Sequence, residues 1–158
     1  MSLKLNAATF EDTSLAVRGT RTDDRTVFSL LFDNLVAQSQ ADDNDAWPAT
    51  RRAEGVVQCE GSGWVSVLVR GAIAVVGEHG YAHAFGWVNG RRLRATPRLP
   101  DEPFSAAVAA PVAADGQLRI SLLLLAQRDL ASSSSGALCA VDSIDIGVLP
   151  VRPTSGQA

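Results

Sequence analysis

The sequence predicts an all-β fold, an antiparallel sandwich of about eight to ten strands with little or no helix. Three observations carry that expectation. Runs rich in β-branched and aromatic residues recur along the chain, turn residues separate them, and no stretch shows the sustained apolar period of a long amphipathic helix. A chain of 158 residues is long enough for one sandwich with a continuous core. The single domain is therefore placed over residues 1–158, with 1–10 and 150–158 expected to be flexible.

In chain order, the first expected strand is Ser14–Arg18, followed by a turn through Thr20–Arg25. Thr26–Ala37 follows, with Val27, Leu31 and Asp33 on one face and Phe28, Leu30, Phe32 and Asn34 on the other. Both faces begin apolar, which predicts a strand covered on two sides, and Asp33-Asn34 predicts a bulge, turn or strand end. Gln38–Thr50 is polar and reads as a loop. Its Asp42, Asp43, Asn44 and Asp45 lack the glycine and terminal glutamate of a calcium loop, and Trp47 beside Pro48 is expected to tuck back over the core. Ala53–Glu60 is a short strand ended by Gly61-Ser-Gly63.

Trp64–Val76 is the longest strand-like run, and Gly71 within it predicts either a bend in one strand or a break between two. Tyr81–Trp87 alternates large and small residues and leads into Asn89-Gly90, a pair suited to the positive φ angles of a type I′ hairpin turn. Prolines at 97, 100 and 103 mark a linker. Phe104–Ala114 and Gln117–Ala126 flank Asp115-Gly116, which predicts a second hairpin, with Pro111 on an edge strand. On the second arm Leu118, Ile120, Leu122 and Leu124 share a core face, and Leu123 and Leu125 make the other face apolar too. Ser132–Gly136 reads as a flexible loop and Ala137–Leu149 as the last strand.

The composition excludes several functions. A formal charge of −3 gives no electrostatic reason to expect nucleic acid. No run approaches the roughly 18 apolar residues of a membrane span. The amino terminus lacks the apolar centre of a secretory signal, so the chain reads as cytoplasmic as written and as secreted if a leader has been removed. Cys59 and Cys139 have no C-x-x-C spacing and leave two readings: a disulfide closing a loop of about 80 residues, worth on the order of 4 kcal/mol, or two small core thiols.

Chemistry-bearing motifs are sparse. His79 and His83, if on one strand, stand roughly 13 Å apart, too far to share a metal ion. Asp33, Asp142 and Asp145 are the strand-borne carboxylates that a small hydrolase would draw on, and no spacing sets one against another. No nucleophile elbow, phosphate-binding glycine loop or zinc-protease helix is present, so no catalytic residue, metal or cofactor is assigned.

The remaining feature is a hairpin face. A two-residue turn at Asn89-Gly90 sets Val88 opposite Arg91, Trp87 opposite Arg92 and Phe85 opposite Arg94. Tyr81, His83, Phe85, Trp87, Arg92 and Arg94 then line one side as a candidate surface for a glycan, a protein or an identical subunit. The other side, Ala82, Ala84, Gly86 and Val88, is too small to anchor a core well. That favours the rings turned inward, with the arginines reaching out from the rim.

Phe32-Asp-Asn-Leu-Val-Ala37, Gly80-Tyr81-Ala82 and the cysteines at 59 and 139 resemble a family of small secreted bacterial and fungal β domains of unknown function. The resemblance spans about residues 26–148 and implies an exported sandwich with a disulfide, with no catalytic residue to carry over. The sequence-level expectation is a non-enzymatic interaction or structural domain, binding a glycan or itself through the hairpin face. The alternative is a hydrolase using Asp or His residues.

Overall fold

A computed structural model describes residues 3–10, 17–21, 27–40, 48–96, 102–132 and 134–149. Among them there is no helix, and eleven strand segments form two antiparallel sheets. In chain order these are β1 (Lys4–Phe10), β2 (Val17–Arg21), β3 (Val27–Gln40), β4 (Ala49–Glu60), β5 (Trp64–Val76), β6 (Tyr81–Val88), β7 (Arg91–Arg92), β8 (Arg94–Ala95), β9 (Phe104–Pro111), β10 (Gln117–Gln127) and β11 (Gly136–Val148). One sheet runs β1-β4-β10-β6-β7 and the other β2-β3-β11-β5-β9-β8. The expected sandwich is therefore the architecture.

The core lies between the sheets. Alternate residues of β5 (Val65, Val67, Val69), β10 (Leu118, Ile120, Leu122, Leu124), β11 (Ile144, Ile146) and β3 (Phe28, Leu30, Phe32) are buried. β5 and β10 follow the two-residue period where they are buried, and β3 and β11 follow it on each side of one phase change, so the opposite side of each strand faces outward. Phe10 of β1 and Phe32 of β3 meet edge to face across the layers, centroids 5.2 Å apart.

Several irregularities fall where the sequence placed them. At Asp33-Asn34 the β3–β11 register slips, between the pairs Val141–Leu35 and Ser143–Leu31, and β3 continues through the bulge. β5 is one strand of 13 residues. A side chain at Gly71 would meet the Ala140 carbonyl at 2.0 Å, so glycine lets β11 and the Phe104 ring approach there.

Other expectations are corrected. Lys4–Phe10, expected to be flexible, pairs with β4 as an edge strand, and β2 occupies Val17–Arg21 where a turn was expected after residue 18. β3 is covered on one side only: Phe28, Leu30 and Phe32 are buried, while Val27 and Leu31 are over 40% exposed. β9 and β10 do not form a hairpin. β9 pairs with β5 and β10 with β4 and β6, so Asp115-Gly116 carries the chain from one sheet to the other. Cys59 and Cys139 are free thiols on opposite sheets rather than a disulfide. Burial pushes Cys59 up to about 11 and Cys139 up to about 12.

Within the segment expected as a flexible loop, Ser135 Oγ donates to the Asp129 carbonyl at 2.6 Å, and just before it the Ala131 N–H donates to the Asp129 carboxylate at 3.0 Å. Asp42–Asp45, Trp47 and the tail from Pro150 lie outside the described residues.

Candidate functional site

The hairpin at Asn89-Gly90 forms as expected. Both residues take positive φ, 47° and 80°, and the pairs Trp87–Arg92 and Val88–Arg91 flank the turn. The third expected pair does not form. Leu93 turns into the core, donating its N–H to the Gly86 carbonyl at 2.8 Å, and Arg94 joins the other sheet opposite Ala107. The segment thus passes from one layer to the other within five residues, and Arg94 leaves the ring-bearing side of the hairpin.

The rings face outward. Tyr81 is 39% exposed, His83 is exposed, and Phe85 and Trp87 are half-buried, whereas Ala82, Gly86 and Val88 face the core. The small side suffices as an inner face because its neighbours supply the volume. A side chain at Gly86 would meet Leu93 Cδ1 at 2.2 Å and Leu122 Cδ2 at 2.9 Å, so Leu93 already occupies that space. The rings form a ladder along β6, with centroids 6.0 Å apart from Tyr81 to His83 and 5.9 Å from His83 to Phe85. The Arg92 guanidinium lies over Phe85 at 5.5 Å.

Neighbouring strands widen the surface beyond the hairpin. The β10–β6 register sets Leu125 beside His83, Leu123 beside Phe85 and Ser121 beside Trp87. On the other edge of β10, Arg52 lies opposite Leu123 and Glu54 opposite Ser121. Leu123 and Leu125 are half-buried on this outer face. Their alternation with Leu122 and Leu124 was legible in the sequence, but pairing with β6 decides what they accompany.

Trp87 borders a hollow of about 480 Å³ lined also by Asn89, Gly90, Ala113, Arg119 and Ser121. Arg119 and Ser121 are shared with a second hollow of about 290 Å³ that reaches Glu54 and Thr9. Together they make a shallow trough across β6, β10, β4 and β1. Arg119 is engaged with Asp115 at 2.6 Å, a hydrogen-bonded ion pair that holds the Asp115 carboxyl below its usual range.

Asn89 does more than turn the chain. Its Nδ2 donates to the carbonyls of Pro111 (2.9 Å) and Gln117 (3.2 Å), and its Oδ1 accepts from the Arg119 N–H (2.8 Å). The side chain bolts the hairpin tip to the end of β9 and the start of β10. Only the folded arrangement places those partners nearby, so the sequence signal stopped at the turn.

The expected metal and acid candidates are separated. His79 sits in the β5–β6 turn, its N–H donating to the Asp129 carboxylate at 3.3 Å, while His83 stands in the ring ladder. Among the described residues no group of three or more His, Cys, Asp or Glu is placed to hold a metal ion. Asp145 accepts from Ser29 Oγ at 2.7 Å and pairs with Arg70 at 3.5 Å on the other sheet, and Asp33 and Asp142 are exposed there on the bulged stretches of β3 and β11. No helix in the described residues is long and apolar enough to cross a membrane.

No family model matches this sequence, and none of the curated proteins compared with it is detectably similar.

Proposed function

We propose that the domain is an interaction module that takes a glycan on the outer face of the β1-β4-β10-β6-β7 sheet. The observation that supports this reading is the outward ladder Tyr81, His83, Phe85 and Trp87. Side chains on one strand face recur at every second residue, and rings 5.9–6.0 Å apart offer successive apolar surfaces to the C–H faces of sugar units. Leu123 and Leu125 broaden the apolar strip, while Ser121, Glu54 and Arg52 add hydrogen-bonding groups along its border. Binding requires no bond to be broken, and the proposed role is recognition.

Affinity electrophoresis through gels containing soluble β-glucan, xylan or pectin tests the reading. Wild-type protein is expected to be retarded by at least one polymer, and Trp87→Ala and Arg92→Ala to lose about tenfold or more in affinity with unchanged melting temperatures. A melting temperature that collapses in both variants would assign these residues to stability instead. Migration unaffected by any polymer, with a dimer in sedimentation velocity that Trp87→Ala dissociates, would replace the glycan with a second copy of the chain.

A further inference from the structure

Arg91, Arg92 and Arg94 share a depression of about 490 Å³ whose other wall is Ala107, Val108 and Ala109 of β9. All three arginines are exposed, and none has a carboxylate partner among the described residues. This contrasts with Arg70, paired with Asp145, and Arg119, paired with Asp115. Arg91 lies over the Trp64 ring at 4.7 Å and Arg92 over Phe85 at 5.5 Å. A guanidinium stacked on a ring is held in place while its in-plane N–H donors stay free, and their fork matches the oxygens of a carboxylate or sulfate.

The cluster results from the sheet crossing. On a regular β7 strand, Arg92 and Arg94 would point to the same side and Arg91 to the other. The inward turn at Leu93 instead brings residues from the edges of two different sheets around one hollow. The small wall of β9 leaves room for a ligand group.

We propose that this depression binds the anionic group, carboxylate or sulfate, of an acidic polysaccharide whose neighbouring sugar units lie on Phe85 and Trp87. Arg92 links the two features, because it lines the depression, pairs with Trp87 across the turn and lies beside the Phe85 ring at 5.5 Å. The proposal rests on the glycan reading above and narrows it to acidic glycans. Charge complementarity favours this occupant: three clustered cations within a chain of net charge −3 suit regularly spaced single anions on a sugar chain better than a long, densely charged strand.

Isothermal titration with polygalacturonate, chondroitin sulfate, a neutral β-glucan and oligo(dT) tests it, using wild type, a triple Arg91→Gln/Arg92→Gln/Arg94→Gln variant and Trp87→Ala. The expected result is binding of an acidic polysaccharide that weakens with salt. Affinity should drop about tenfold or more in the triple variant, at an unchanged melting temperature, and also fall in Trp87→Ala. Binding of the neutral glucan that depends on Trp87 and is indifferent to the triple substitution would keep the glycan reading and overturn the anionic site. Acidic binding that needs the arginines but not Trp87 would support the arginine site and remove the ladder from the glycan reading. Equal affinity for oligo(dT), or no binding to any probe, would overturn the proposal.

Discussion

The rings of β6 stand outside because of what stands inside. Gly86 admits Leu93, and the exchange of a side chain on the strand for one from the following segment lets a face of alanine, glycine and valine close a core. Gly86→Ala is therefore expected to cost about 1–3 kcal/mol in a urea titration, and less in a Leu93→Val background, where the space for a methyl group is restored. Gly71→Ala should cost more than Gly86→Ala, because the atom it meets is the Ala140 backbone oxygen and not the end of a side chain. Equal costs would show that β11 yields as readily as Leu93. At this scale the sequence revealed the glycine positions and the two-residue alternation. It favoured the rings turned inward, and the structure reverses that polarity, because a small inner face becomes adequate only when Leu93, several residues downstream, fills it.

Among the elements, β10 carries the inside-outside distinction most sharply. Leu122→Ala removes a side chain that is 3% exposed and is expected to cost about 2–5 kcal/mol, whereas Leu123→Ala, one residue on and half-buried on the outer face, should cost about 1 kcal/mol or less. Comparable losses would place both faces of β10 in a core. The Asn89 side chain offers a second test. Asn89→Gly keeps the positive φ but removes three side-chain hydrogen bonds to β9 and β10, and is expected to lower stability by about 1–3 kcal/mol. Hairpin signals were read correctly where the partner strand is local, at Asn89-Gly90, and misled at Asp115-Gly116. There the turn chemistry is equally suitable, but β9 and β10 find better partners in β5 and β4. A turn motif specifies the path of four residues. It does not specify which sheet receives the next strand.

Across the whole molecule, the two thiols and one buried carboxylate shape the response to solution conditions. With Cys59 and Cys139 on opposite sheets and both held well above the ordinary thiol range, reductant should leave the melting temperature unchanged, and thiol reagents should label the native protein slowly at neutral pH. A large drop on reduction would reveal a bridge between them. Asp129 is held below the usual carboxylate range, first by the Ala131 N–H and also by the His79 N–H. A depressed folded-state value means stabilisation that is present above the unfolded value and lost as pH falls through the folded one. The melting temperature should therefore drop below about pH 4, and Asp129→Asn should lie lower at neutral pH and show a shallower acid limb. The sandwich class was legible from strand runs and turns, since local pattern determines how many strands there are. The strand order was not, because it is decided by which long strands pair across distant parts of the chain. The passage through Arg91–Ala95 gives that order a dynamic consequence. Its amides are bonded into both layers, Leu93 to Gly86 and Thr96 to Ser105, so neither layer can fray along this seam alone. In native-state hydrogen exchange, the Leu93 and Thr96 amides should open with the core strands, while β1, at the edge of its sheet beside β4, exchanges first.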